Sequence, residues 1–195
     1  MTAIAGYTLG QDSVPRAPIR WQEFEELEQS VALGEEDLRY LRLAGEILLP
    51  RVEELLDVWY GFVGSHPHLL AAFVRKEDGK PDERYLAAVR RRFGRWVEDT
   101  CAARFDQAWL DYQFEIGRRH HRSGKNRTDG VAAAEHVPLR HLVALIAPIV
   151  LTVRPFLAQS GRPAEEVDKM HAAWTKAVVL QVALWTWPYT RPEDF

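Results

Sequence analysis

Apolar residues recur every three or four positions along nearly the whole chain, the period of helices rather than the alternation of strands. Trp21, Phe24, Leu27 and Val31 stripe a short first helix that Gly34 stops. The next begins at Glu35 with an acidic first turn, carries Leu38, Leu41 and Leu48 on one face, and meets Pro50. Val52, Leu55, Leu56, Trp59 and Val63 stripe a third helix, closed by His66-Pro67, and Leu69, Leu70 and Phe73 form a brief apolar turn. After Asp78-Gly79 and Pro81, a long helix starts at Asp82 with Leu86, Val89, Phe93, Trp96 and Val97 inward and arginines outward.

The pattern breaks around Cys101–Arg104 and resumes with Trp109, Tyr112, Ile116 and His120 on another helix. A long connection follows over 123–138. Leu142, Leu145, Ile149 and Val153 predict one apolar helix over 139–157, kinked by Pro148. The last helix starts at Pro163 and runs to about Trp187. About eight helices with no strand-like run predict an all-α domain over 21–195, led in by a loop segment at 1–20. The last two helices are apolar around more than one face, which predicts that part of their surface forms a homodimer interface.

Composition narrows the function classes. The 195 residues carry 25 Lys and Arg against 28 Asp and Glu, a net charge of −3, which gives no general attraction to nucleic acid or anionic lipid. No apolar run is long and unbroken enough to predict a membrane span, and Met1–Tyr7 lacks the features of a secretory leader. A lone cysteine, Cys101, cannot form an internal disulfide and fits a cytoplasmic setting. Seven Trp, six Tyr and eight Phe suit either a large core or a large flat ligand.

Three groups of residues could carry chemistry. His120 falls on the buried stripe of its helix, whereas His121 is rotated about 100° from it. A histidine so placed is either packed in the core or a metal ligand. The Trp59-Tyr60 pair could aim a phenol into a cavity or simply pack. His66-x-His68 lacks Cys or Asp partners at metal-site spacing, and the arginine clusters at 90–95 and 118–127 read as solvated helix faces.

The segments Trp59-Tyr60-Gly61-Phe62-Val63-Gly64-Ser65-His66-Pro67-His68, Arg91-Arg92-Phe93-Gly94, Trp109-Leu110-Asp111-Tyr112-Gln113, Arg119-His120-His121-Arg122 and Val182-Ala183-Leu184-Trp185 together resemble the protoglobins, single-domain relatives of the haem domain of globin-coupled sensors. The resemblance implies a globin sandwich with an extra N-terminal helix and loop that help bury haem b (iron protoporphyrin IX). It implies His120 as the iron ligand, and Trp59 and Tyr60 on the side where a gas binds, Tyr60 being the hydrogen-bond donor and Phe93 lining the pocket. Val63, Phe73, Leu86, Val89, Tyr112, Ile116, Leu142, Leu145 and Ile149 would complete the cofactor pocket, with Arg92 as a propionate partner.

Leu145 stands where the family carries Phe, and Ala147 replaces a larger residue, so a wider pocket is expected. The function implied is reversible binding of O2, CO or NO, as carrier, scavenger or sensor. The alternative is haem-dependent catalysis at the open side of the iron: NO dioxygenation, peroxidase-like chemistry or, in an engineered variant, carbene transfer.

Overall fold

The computed structural model describes residues 4–195; Met1–Ala3, where the N-terminal segment begins, lie outside them. Among the described residues there are nine α-helices: α1 (Trp21–Ser30), α2 (Glu35–Leu48), α3 (Val52–Gly64), α4 (Pro67–Leu70), α5 (Glu83–Ala102), α6 (Gln107–His120), α7 (Leu139–Ala144), α8 (Ile146–Ala158) and α9 (Ala164–Trp185). The only β pairing among them is an isolated bridge, Val74 to Pro81.

Helix ends follow local chemistry. Asp82 and Asp106 accept from the backbone N–H groups of Tyr85 and Trp109 at 3.0 and 2.9 Å, fixing where α5 and α6 begin. Pro50 turns the end of α2 into a 3-10 turn over Leu49–Arg51 before α3. Ala103, at φ 50, closes α5 in the left-handed conformation, as the break in the apolar pattern there anticipates.

The helix expected over 139–157 is two helices. Pro148 offers no N–H to the Ala144 carbonyl and its ring crowds that oxygen, so the break comes one turn upstream, at Leu145. The last helix likewise ends two residues earlier than expected, at Trp185, and a 3-10 turn over Trp187–Tyr189 takes up Pro188.

α9 is the spine. Val167, Met170, Ala173, Trp174, Ala177, Val178, Leu180 and Leu184 are all buried along it. α2, α6 and α8 pack against it, while α5 rests on α2 and α3. At the α2–α5 crossing a Cβ on Gly45 would come within 2.9 Å of Cys101 Cβ, so only glycine allows that approach. α5 and α6 are joined by a short turn but make no comparable interface with each other. That leaves a loosely contacted junction, a slot in outline, between two consecutive helices.

Leu139–Ala158 has the length and mean hydropathy, 1.9 over 20 residues, of a membrane-crossing segment by composition alone. Leu142, Val150, Val153, Phe156 and Leu157 turn one side of it inward. Val143 and Leu151, 48% and 65% exposed, lie on the other side.

Candidate functional site between α5 and α6

α6 ends at His120, and the position of that end is set by a close approach. A Cβ on Gly117 would lie 3.0 Å from Trp185 Cα and carbonyl oxygen, so glycine lets the α6 backbone sit directly on the end of α9. One turn on, the His120 ring stacks on Trp185 at 5.3 Å between centroids and 16° between planes. Its Nδ1 lies 2.9 Å from the Ile116 carbonyl oxygen. A carbonyl only accepts, so Nδ1 carries the proton and Nε2 keeps its lone pair. No hydrogen bond reaches Nε2 among the described residues.

Burial pushes the His120 pKa down, outweighing the Ile116 bond, and the Lys125 and Arg119 charges push the same way. The imidazole is therefore neutral. His120 and Tyr60 are each only partly buried, although each belongs to a helix packed into the fold.

The expected lining residues behave alike. Trp59, Phe73, Leu86, Val89, Phe93, Ile116, Leu145 and Ile149 are all only partly buried, although each belongs to an inward stripe. Val63, Tyr112 and Leu142 are buried behind them. Phe93 holds Trp59 at 5.6 Å and Tyr60 at 6.4 Å, edge-on to both. A small cavity of about 10 Å³ lies behind Trp59 and Phe93.

Desolvation holds the Tyr60 phenol far above its usual pKa, so it is a hydroxyl donor at any ordinary pH. No hydrogen bond involves Tyr60 Oη among the described residues, which leaves its hydroxyl free to donate.

Two pieces of loop close the slot. From the N-terminal segment, Tyr7 donates to Asp99 on α5 at 2.8 Å and packs edge-on to Tyr112 on α6 at 5.4 Å. Arg119 donates to the Gly6 carbonyl and to Thr8 Oγ1. Gly6, at φ +76, has no room for a side chain: a Cβ would lie 2.5 Å from Thr128.

The second closure is the 121–138 connection. Lys125 is buried and donates to the Ala72 and Ala134 carbonyls at 3.0 and 2.8 Å, tying the segment after α4 to this connection. Burial lowers its pKa to about 8. Sequence reasoning missed Lys125, Trp185 and Gln113; a charged residue in a polar loop carries no sign that it will be enclosed.

Arg92 is engaged with Asp129 through paired contacts of 3.0 and 2.6 Å and with the Ala5 carbonyl at 3.0 Å. It thus joins the two closing loops. His121 turns away, with Nδ1 3.0 Å from Ser123 Oγ and its ring edge-on to Tyr189. The arginine clusters are largely paired with acids: Arg90 with Glu53 and Asp57, Arg95 with Glu98 and Asp99, Arg118 and Arg119 with Glu115. No group of three or more His, Cys, Asp or Glu among the described residues could hold a metal ion.

Comparison with known proteins agrees with this architecture. The globin domain of a Geobacter sulfurreducens globin-coupled sensor matches with a TM-score of 0.64 at 16% identity, over 86% of this chain and 97% of that one. No curated protein matches the sequence. The protoglobin family model matches residues 21–194. With an all-α globin fold and a family match over nearly its whole length, this chain belongs to the protoglobin family.

Proposed function

We propose that the slot holds haem b, that His120 Nε2 would bind its iron, and that the protein reversibly binds O2, CO or NO. The observation that carries this is the state of one ring: neutral, anchored through Nδ1, its other nitrogen unpartnered among the described residues. That is the donor a globin iron requires. One histidine with no further ligand cluster suits a metal that brings its own equatorial donors in a macrocycle. The bound haem supplies an iron with one open coordination position for a diatomic gas.

The chain's own residues do the rest. Phe93, Leu86, Val89, Leu145 and Ile149 offer apolar surface at about 25 cal/mol per Å² of ligand area removed from water. Tyr7, Arg119, Arg92 and Lys125 hold the two loops that exclude water. Tyr60 donates its hydroxyl proton in a hydrogen bond to a gas carrying partial negative charge, which favours O2 over CO.

The test is absorption spectroscopy of the haem-reconstituted protein. A strong Soret band is expected, and His120→Ala loses either the haem or its histidine-ligated spectrum, with partial return on adding imidazole. Tyr60→Phe keeps the spectrum but speeds O2 release more than CO release. A His120→Ala protein indistinguishable from the wild type overturns the assignment.

The same reading includes a homodimer. Val143, Leu151 and Val179 are 48%, 65% and 36% exposed, and Ala147 lies between the first two at helical spacing. Most of α9 is spent inside the fold, so the free apolar surface belongs to α7 and α8 more than to α9. Leu151→Glu is expected to shift the sedimentation coefficient from dimer to monomer without changing helix content. A wild type that sediments as a monomer at high concentration removes this part of the proposal.

A further inference from the structure

Behind His120 the aromatic contacts continue. Trp185, stacked on the histidine, lies 5.9 Å from Trp96, and Trp96 lies 5.6 Å from Trp174. Each separation is within the range of direct ring contact. The indole N–H groups are treated unequally. Trp185 Nε1 donates to Gln113 Oε1 at 2.9 Å, and Trp96 Nε1 donates to Gln181 Oε1 at 2.6 Å.

Gln181 Nε2 donates in turn to the Ala177 carbonyl and Thr100 Oγ1, which holds its oxygen toward Trp96. Trp174 Nε1 is buried with no acceptor among the described residues. Leucines would fill this volume without two buried amides, each of which costs free energy unless it is bonded.

Indole is among the side chains most easily oxidised by one electron, and an acceptor on its N–H stabilises the cation radical that results. The two bonded indoles are therefore better electron donors than Trp174. We propose that Trp185 and Trp96 form an electron relay behind the iron ligand, drawn on when a peroxide oxidises the bound haem; this rests on the haem reading through His120.

Hydrogen peroxide gains two electrons and two protons and becomes two waters. One electron would be drawn from the bound haem and the other from the π system of Trp185, which Trp96 refills. The protons come from solvent, and each indole keeps its N–H in its hydrogen bond to glutamine. Two equivalents of a one-electron reductant such as ascorbate return both electrons, one to the haem and one to the tryptophan pair. Oxidising equivalents are thereby moved off the pocket side, where Trp59 and Tyr60 would otherwise be modified.

The experiment mixes the ferric, haem-loaded protein with hydrogen peroxide and freezes it within milliseconds to seconds. Electron paramagnetic resonance reads the radical, and peptide mapping by mass spectrometry reads where oxidation lands. A tryptophan radical is expected, with oxidation at Trp185 and Trp96 and none at Trp174. Trp185→Phe loses the tryptophan signal, keeps its Soret band, and gains oxidation at Tyr60 and Trp59; Trp174→Phe changes nothing.

Equal radical yield in Trp185→Phe overturns the relay, as does wild-type oxidation confined to Trp59 and Tyr60. Should Trp185→Phe fail to fold, the wild-type map and Trp96→Phe, expected to confine oxidation to Trp185, decide the matter alone. A wild type that forms no Soret band fails the haem reading before any peroxide is added, so the two failures are distinct.

Discussion

Two regions of this molecule are made of the same kinds of residue and behave differently. Around α9, Leu41, Leu48, Leu157, Met170, Trp174 and Val178 are sealed to within 1% exposure. Between α5 and α6, Trp59, Phe93, Ile116 and Ile149 are just as apolar and sit just as far inward on their stripes, yet they keep free surface. In the packed region Trp96, Thr100 and Gln181 satisfy one another, while the Trp174 and Trp109 indole N–H groups are buried without an acceptor among the described residues. In the slot, His120 Nε2 and Tyr60 Oη have no partner among the described residues and sit on residues that keep free surface. Hydrophobicity alone does not distinguish core from site; the surface left uncovered does.

The comparison predicts unequal costs for similar truncations. Trp174 is buried to 1% exposure in the packing around α9, and Trp174→Ala is expected to cost about 3–5 kcal/mol of stability. Phe93→Ala in the haem-free protein removes a ring that is only partly buried and already borders a small cavity, so a loss below that of Trp174→Ala is expected. Loading haem should widen the penalty at Phe93 and leave that at Trp174 unchanged, because the ligand covers only the former. Urea denaturation of both variants, with and without haem, reads the difference. Equal costs in the haem-free protein mean that the slot is packed like the core, and the comparison falls.

Much of this was legible in one dimension because helices repeat locally. The stripe Trp109, Tyr112, Ile116, His120 picks out the residue whose ring now rests on Trp185, and the helical repeat makes the Ile116 carbonyl its natural partner. The kink assigned to Pro148 surfaced at Leu145 because a proline's steric conflict lies with the carbonyl four residues back. What stayed hidden depends on partners far along the chain. Gln113 meets Trp185 across 72 positions, and only the bare Cα of Gly117 permits the approach. Arg92 looked free because a charge pattern shows the cation and not Asp129, 37 positions on.

The smallest effect is also the most discriminating, because between about pH 8 and 10 the buried lysine of the slot and the buried thiol of the packed region respond to alkali with opposite sign. In the slot, burial lowers Lys125 to about 8 from the 10.5 of an unfolded chain. Between those values the unfolded state holds more protons, so stability rises with pH from about 8 upward. In the packed region, burial raises Cys101 to about 12 from 9.0. Above 9 the unfolded thiol has lost its proton while the folded one keeps it, so stability falls with pH. Neither slope can exceed about 1.4 kcal/mol per pH unit. Stability of the haem-free protein should therefore climb from pH 8 to 9 and flatten beyond, where the tyrosines raised by burial add to the fall. Cys101→Ala is expected to extend the climb, and Lys125→Met to abolish it. Because Lys125→Met leaves the Ala72 carbonyl without its donor and the Ala134 carbonyl with Asn126 alone, it also lowers stability at every pH, so only the slope is diagnostic. If the slope between pH 8 and 9 survives in Lys125→Met, the ammonium that ties the two loops is not what titrates, and the slot loses its claim to a distinct electrostatic character.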